Sequence, residues 1–228
     1  MSHDLGRSMI AKNPCVHLKN SYQMNALILV DIQNDFMPGG PLAVPEGNEI
    51  IPLVNELQDS FSLVVATQDW HPRNHKSFAS NHEGKKTFQT IMLHGLEQVL
   101  WPDHCIQGTE GAQLHSSLDL KKVEGIFRKG MDAEIDSYSA YYDNGSKKST
   151  GLAGYLRERK IKKVYVCGLA ADYCVYYTAK DSIKENFETY IIEDATRAID
   201  ANGFLKAKEN ILANGGKIIK CEMLYRHL

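Results

Sequence analysis

A chain of 228 residues is long enough to bury one large α/β core, and its 43% hydrophobic content shows no linker-like break, so one domain is expected. Lys and Arg total 26 against 28 Asp and Glu, a formal charge of -2, with no basic run long enough to follow a phosphate backbone, which sets nucleic acid aside as a partner. The apolar runs fall far short of the roughly 20 residues that cross a bilayer, and the N-terminus lacks the apolar stretch of a secretion signal. The expectation is a soluble, cytoplasmic protein, with no membrane partner, acting on a small neutral ligand.

Residues 1–23 are mixed and polar and read as an N-terminal extension, with the domain proper spanning 24–228. Ala26 to Ile32 is a near-continuous apolar run, the mark of a strand buried on both faces, and it carries Asp31 at its carboxyl end. Pro38, Gly39, Gly40, Pro41 and Pro45 make the next stretch a loop before a helix predicted over Asn48 to Phe61, with Asn48 as its cap. Leu63 to Thr67 is a second strand running into Asp69 and His71. Residues two apart in extended chain face one side, so these two can bind one ion.

The region from Pro72 to Ser117 has weak periodicity and carries His75, His82, His94 and His104; a loop of that length inside a compact domain is usually functional. His82 and His94 are read as surface residues. A short strand at Ile126 to Lys129, a helix at Gly151 to Lys160, strands at Lys163 to Cys167 and Thr189 to Ile192, a helix at Gly203 to Asn214 and a last strand at Lys217 to Cys221 complete the alternation. Strands alternating with helices predict a doubly wound, three-layer α/β domain with a central, mostly parallel sheet of about six strands and helices on both faces. Ligands in such folds sit beyond the carboxyl ends of the strands. Asp31, Asp69, Lys129 and Cys174 each fall at or just past such an end.

Five cysteines, Cys15, Cys105, Cys167, Cys174 and Cys221, are scattered and form no CxxC pair, which argues against a disulfide framework or a zinc knuckle. Cys174 falls where a strand and tight turn lead into a helix predicted from Tyr173 onward. A helix start favours an anion, so this thiol is expected to ionise more readily than a free one. The bland alternative is a small buried hydrophobe.

With VDIQNDF (30–36), TQDWHP (67–72) followed by NHKSF, WPDHCIQGT (101–109) and GLAADYCV (168–175), and weaker support from DSYSAYYDN and RAIDANG, the chain resembles the nicotinamidases of the isochorismatase-like cysteine hydrolases. The resemblance runs from about Met24 to the C-terminus. It implies Cys174 as nucleophile, Asp31 as base and Lys129 as the cation beside them. It further implies Asp69, His71 and His104 as ligands of one divalent metal ion, zinc first with iron or manganese as alternatives. Phe36 and Trp101 become aromatic walls with Tyr173 nearby, and the N–H groups of Ala170 and Cys174 an oxyanion hole, with a cis peptide before Ala170. His75 is expected beside the ligands rather than on the ion. Ala171 stands where the family often has threonine.

The activity implied is hydrolysis of nicotinamide, and of pyrazinamide, through a thioester, as part of NAD salvage; a homo-oligomer is compatible with the sequence. A superfamily member acting on isochorismate or a carbamoyl compound is the nearest rival, and there the metal ligands are typically absent. A silent scaffold on this fold would need no Asp31, Lys129 or Cys174.

Overall fold

The computed structural model describes residues 24–226; the N-terminal extension at 1–23 lies outside the described residues. The chain builds β1 (Asn25–Val30), α1 (Ile51–Leu57), β2 (Leu63–Asp69), a hairpin of β3 (Thr90–Leu93) and β4 (Leu96–Val99), and β5 (Val123–Lys129). It continues with α2 (Leu152–Glu158), β6 (Lys163–Leu169), α3 (Tyr176–Lys184), β7 (Glu188–Arg197), α4 (Ala201–Ala213) and β8 (Lys217–Ile219).

Six strands form one parallel sheet in the order β5-β2-β1-β6-β7-β8. The period of two along β1 sends Leu27 and Leu29 to one face and Ala26, Ile28 and Val30 to the other, where each set joins a separate apolar core. Ile51, Val54 and Leu57 of α1 cover the first face; Leu152 and Leu156 of α2, Ala179 of α3 and Ile211 of α4 cover the second. Every residue of β1 and β2 is buried. On the edge strand β5 only Lys129 is buried. Three layers with helices on both faces is the architecture the alternation predicts.

Strand order reverses between β1 and β6, which makes the crevice beyond their carboxyl ends the topological switch point.

The local differences have physical causes. The predicted helix at Asn48 to Phe61 is a 3-10 turn (Gly47–Ile50), then α1 with Pro52 in its first turn, then a second 3-10 turn (Gln58–Ser60). Asn48 therefore caps nothing. The stretch read as loop from Pro72 to Ser117 contains the β3–β4 hairpin, closed by His94 and Gly95 with φ of 49° and 83°, the paired positive values that a two-residue hairpin turn needs. Strand β7 runs on to Arg197 and β8 stops at Ile219. Cys105, Cys167 and Cys174 are free thiols, while Cys221 is disulfide-bonded, a pairing not expected from the spacing. No helix among the described residues is long and apolar enough to cross a membrane.

Candidate active site

The ends of four adjacent strands bring Asp31, Asp69, Lys129 and Cys174 together. Lys129 Nζ lies 2.8 Å from Asp31 Oδ2, 2.6 Å from Asp69 Oδ1 and 3.4 Å from Cys174 Sγ, and it donates to the Ser137 carbonyl at 3.1 Å. The side chains of Lys129 and Asp31 are wholly buried. A buried lysine survives there because it is paired twice. Burial works against its charge, but Asp31 and Asp69 hold its proton more tightly than usual. Thr67 fixes Asp31 by donating to Oδ1 at 2.6 Å while accepting the Asp31 N–H at 3.2 Å.

Cys174 belongs to a π-helical turn, Ala171–Val175, that feeds α3, so it lies two residues before the α-helix rather than at its first residue. The Leu169–Ala170 peptide that precedes the turn is cis. The expected easing of thiol ionisation is not what the site provides. Burial pushes the Cys174 thiol well above its ordinary range; Lys129 opposes this, and Asp31 and Asp69 reinforce it. Two carboxylates share one ammonium, so a thiolate would be a second uncompensated negative charge in a dry site. Burial, with Asp69, also raises Asp31 despite Lys129. The resting cluster therefore keeps its thiol protonated beside a carboxylate with raised proton affinity.

Asp69, His71 and His104 form a second constellation on the same rim, each offering a ligand atom within 4.8 Å of the others. His71 donates Nδ1–H to the Gly130 carbonyl at 2.9 Å and His104 donates Nδ1–H to the Pro102 carbonyl at 2.8 Å. Both rings thus turn Nε2 towards Asp69 Oδ2, at 3.4 and 3.8 Å; burial works against a charge on His71, but Asp69 raises its pKa above the ordinary imidazole value. Backbone carbonyls holding the far nitrogen are the usual support of imidazole ligands. Burial pushes the Asp69 carboxyl up, yet Lys129 and His71 hold it well below the ordinary carboxylate range, so it stays ionised. Two imidazoles and a buried carboxylate suit zinc, iron or manganese, and the donor set fits a divalent ion. Gly130, at φ 64°, is needed here: a Cβ would fall 2.3 Å from His71 Cε1.

His75 is fully buried with its ring 4.4 Å from that of His71. Its Nδ1 accepts the Ser77 N–H at 3.2 Å and meets Ser77 Oγ at 2.7 Å, so Nε2 bears the proton and offers no lone pair to an ion. Burial, and His71 beside it, bring its pKa down to about 4. His94 is exposed and paired with Glu134, and His82 bonds the Lys76 carbonyl.

The cleft above these groups is lined by Phe36, Trp101 and Tyr173, together with Tyr138, and reaches Asp69, His104, Ala170 and Cys174. Trp101 meets Tyr173 edge-on at 4.8 Å. Several residues that position the site went unassigned in the sequence, although their motifs were visible. Gln33 accepts the Asp69 N–H and donates to its carbonyl, both at 2.8 Å. Asp35 accepts the Cys105 N–H at 2.6 Å and so holds the loop carrying His104. Asp172 accepts the N–H groups of Ile199 and Asp200, each at 2.9 Å, which clamps the RAIDANG loop on the turn that carries Cys174.

A three-layer fold whose switch point gathers a thiol, a carboxylate and an ammonium suits a hydrolase, and the relatives agree in class. The chain belongs to the isochorismatase domain family, whose profile matches residues 25–223. It is 54% identical over 191 residues to a nicotinamidase of Acinetobacter baylyi, covering 83% of this chain and 89% of that one. Among solved structures, a nicotinamidase and pyrazinamidase of Acinetobacter baumanii aligns with a TM-score of 0.87 at 50% identity, over 90% of this chain and 100% of the other. A pyrazinamidase of Pyrococcus horikoshii in complex with zinc aligns with a TM-score of 0.72 at 39% identity, over 86% and 99%.

Proposed function

We propose that this chain hydrolyses nicotinamide to nicotinate and ammonia, and pyrazinamide in the same way, by way of a thioester on Cys174, as a step of NAD salvage in the cytoplasm. The observation that carries the reading is that a thiol, its neighbouring carboxylate and an ion-competent triplet open into one aromatic-walled cleft. The named relatives support the substrate class.

Asp31, with its raised proton affinity, takes the Sγ proton as sulfur attacks the amide carbon. The C–S bond forms and the carbonyl electron pair moves to oxygen, where the N–H groups of Ala170 and Cys174 receive it; such donors are worth about 3 to 4 kcal/mol in comparable hydrolases. Asp31 passes its proton to the nitrogen, the C–N bond breaks and ammonia leaves. A water molecule, deprotonated by the same carboxylate, attacks the thioester and releases the acid, and the thiol regains a proton. Lys129 keeps Asp31 and Asp69 compatible throughout. Phe36 and Trp101 hold a flat ring. Asp69, His71 and His104 would hold one divalent ion, zinc by analogy with the Pyrococcus horikoshii relative, which when bound supplies a Lewis-acid centre for an aromatic ring nitrogen.

Benzamide has the same shape and scissile bond without the ring nitrogen. Steady-state ammonia release should give kcat/KM for nicotinamide and pyrazinamide well above benzamide, with the gap closing in metal-depleted protein. Equal rates in the metal-loaded protein would remove the role given to the ion, and preference for isochorismate or a carbamoyl compound would remove the substrate assignment.

A further inference from the structure

We infer that Gln98 is a positioning residue for the substrate cleft, holding the Tyr138 and Trp101 wall in place through the Tyr138 hydroxyl. The inference rests on the cleft being the substrate site proposed above. Gln98 is the one buried residue of either hairpin strand; its neighbours on β3 and β4 are exposed or half-buried. A buried amide is costly unless its hydrogen bonds are made. Nε2 of Gln98 lies 2.8 Å from the Val99 carbonyl, 3.1 Å from Asp136 Oδ2 and 3.1 Å from the Tyr138 hydroxyl.

The Tyr138 oxygen also accepts the Trp101 indole N–H at 3.2 Å. Its two lone pairs are thereby filled by Gln98 and Trp101, so the tilt of the tyrosine and the edge of the tryptophan are set by the same atom. Tyr138 and Trp101 line the cleft, and Gln98 does not. Its action is through them. The other arm of the network runs along the cleft through Asp136, which also lines it: Asp136 Oδ1 accepts the Ser137 N–H at 2.8 Å, and the Ser137 carbonyl accepts from Lys129. The two amide hydrogens are shared among the Val99 carbonyl, Asp136 and the Tyr138 oxygen, and an apolar isostere at position 98 removes both while keeping the side chain's length.

The test compares the parent, Gln98→Met, Tyr138→Phe and the double variant by steady-state ammonia release from nicotinamide, with metal content measured on each. Gln98→Met should raise KM by on the order of tenfold, the effect of one lost buried hydrogen bond, with kcat within about twofold and metal content unchanged. Tyr138→Phe should raise KM similarly, and the double variant should be no worse than Tyr138→Phe alone, since both remove one interaction. In a Trp70→Phe background, Trp101 is the sole tryptophan, and Gln98→Met should make its fluorescence more accessible to acrylamide. An unchanged KM, a fall in kcat at constant KM, effects that multiply in the double variant, or unchanged quenching each overturn the inference. Should Gln98→Met fail to fold, Tyr138→Phe at parental KM overturns it alone. A parent that releases no ammonia from nicotinamide refutes the substrate assignment, whereas the Trp101 quenching difference still decides the role of Gln98.

Discussion

Lys129→Met keeps the length of the side chain and removes its charge, and two consequences can be worked from the geometry. The ammonium lies within 2.8 Å of two buried carboxylates. Removing one partner of a buried ion pair costs about 3 to 5 kcal/mol, because the remaining charge stays buried and uncompensated. In a chain of this size each kcal/mol moves Tm by about 2 to 4 °C, so calorimetry on metal-stripped protein should show a fall of roughly 6 to 20 °C. Activity should fall as well. Burial and Asp69 already raise Asp31, and Lys129 is what opposes them; without it the Asp31 carboxyl moves further up and is less often free to take the thiol proton. The loss should be about 10²- to 10⁴-fold in kcat, the usual share of acid–base catalysis. Adding Asp31→Asn removes the stranded carboxylate and should recover at least half of the lost Tm without recovering turnover. A Lys129→Met protein that melts with the parent, or a double variant that melts below it, would refute the reasoning.

Cys174→Ala should abolish turnover at parental Tm, and iodoacetamide should inactivate in step with labelling of Cys174; inactivation through Cys105 with Cys174 unlabelled removes the nucleophile assignment. Elemental analysis of His71→Ala and His104→Ala should show loss of one divalent ion per chain, and full occupancy in both would place the ion elsewhere. His75 is neutral in the folded chain down to about pH 4, while the unfolded chain takes the proton at its ordinary value of 6.5. The unfolded state therefore binds more protons between these values, and stability falls as pH falls through that window, by about 3 kcal/mol from this group. Urea midpoints of His75→Phe should be flatter than the parent's from pH 6.5 to 4, and parallel curves would contradict the assignment.

The fold was legible because buried parallel strands announce themselves: the runs at Ala26, Leu63 and Lys163 could scarcely be anything else. Edges were harder. Strand β5 alternates along an exposed edge, so only its end at Ile126 to Lys129 read as strand. The hairpin was not legible because Ile91, Met92 and Leu93 are consecutive apolar residues that break the alternation expected of a half-buried strand, leaving His94-Gly95 as its one turn signal. Asp31, Asp69, Lys129 and Cys174 could be placed on one rim because each falls at or just past the end of a strand, whereas His104 lies in a loop and is marked only by the WPDHCIQGT motif. The ionisation of Cys174 could not be read, since it depends on burial and on how one lysine is divided between two carboxylates, quantities set by packing.

The reversal of strand order between β1 and β6 also bears on synthesis. Strand β1 is among the first described segments made, and the neighbour on its far side, β6, follows roughly 130 residues later. At about 5 to 20 residues per second this leaves the open edge of a strand that ends up wholly buried waiting for roughly 7 to 25 s on the ribosome. Such an edge is a template for pairing with other chains. The crevice at the candidate site is thus the seam that closes late in the nascent chain, and slowing translation between β5 and β6 should raise the fraction of chains lost to aggregation before Cys174 reaches its place.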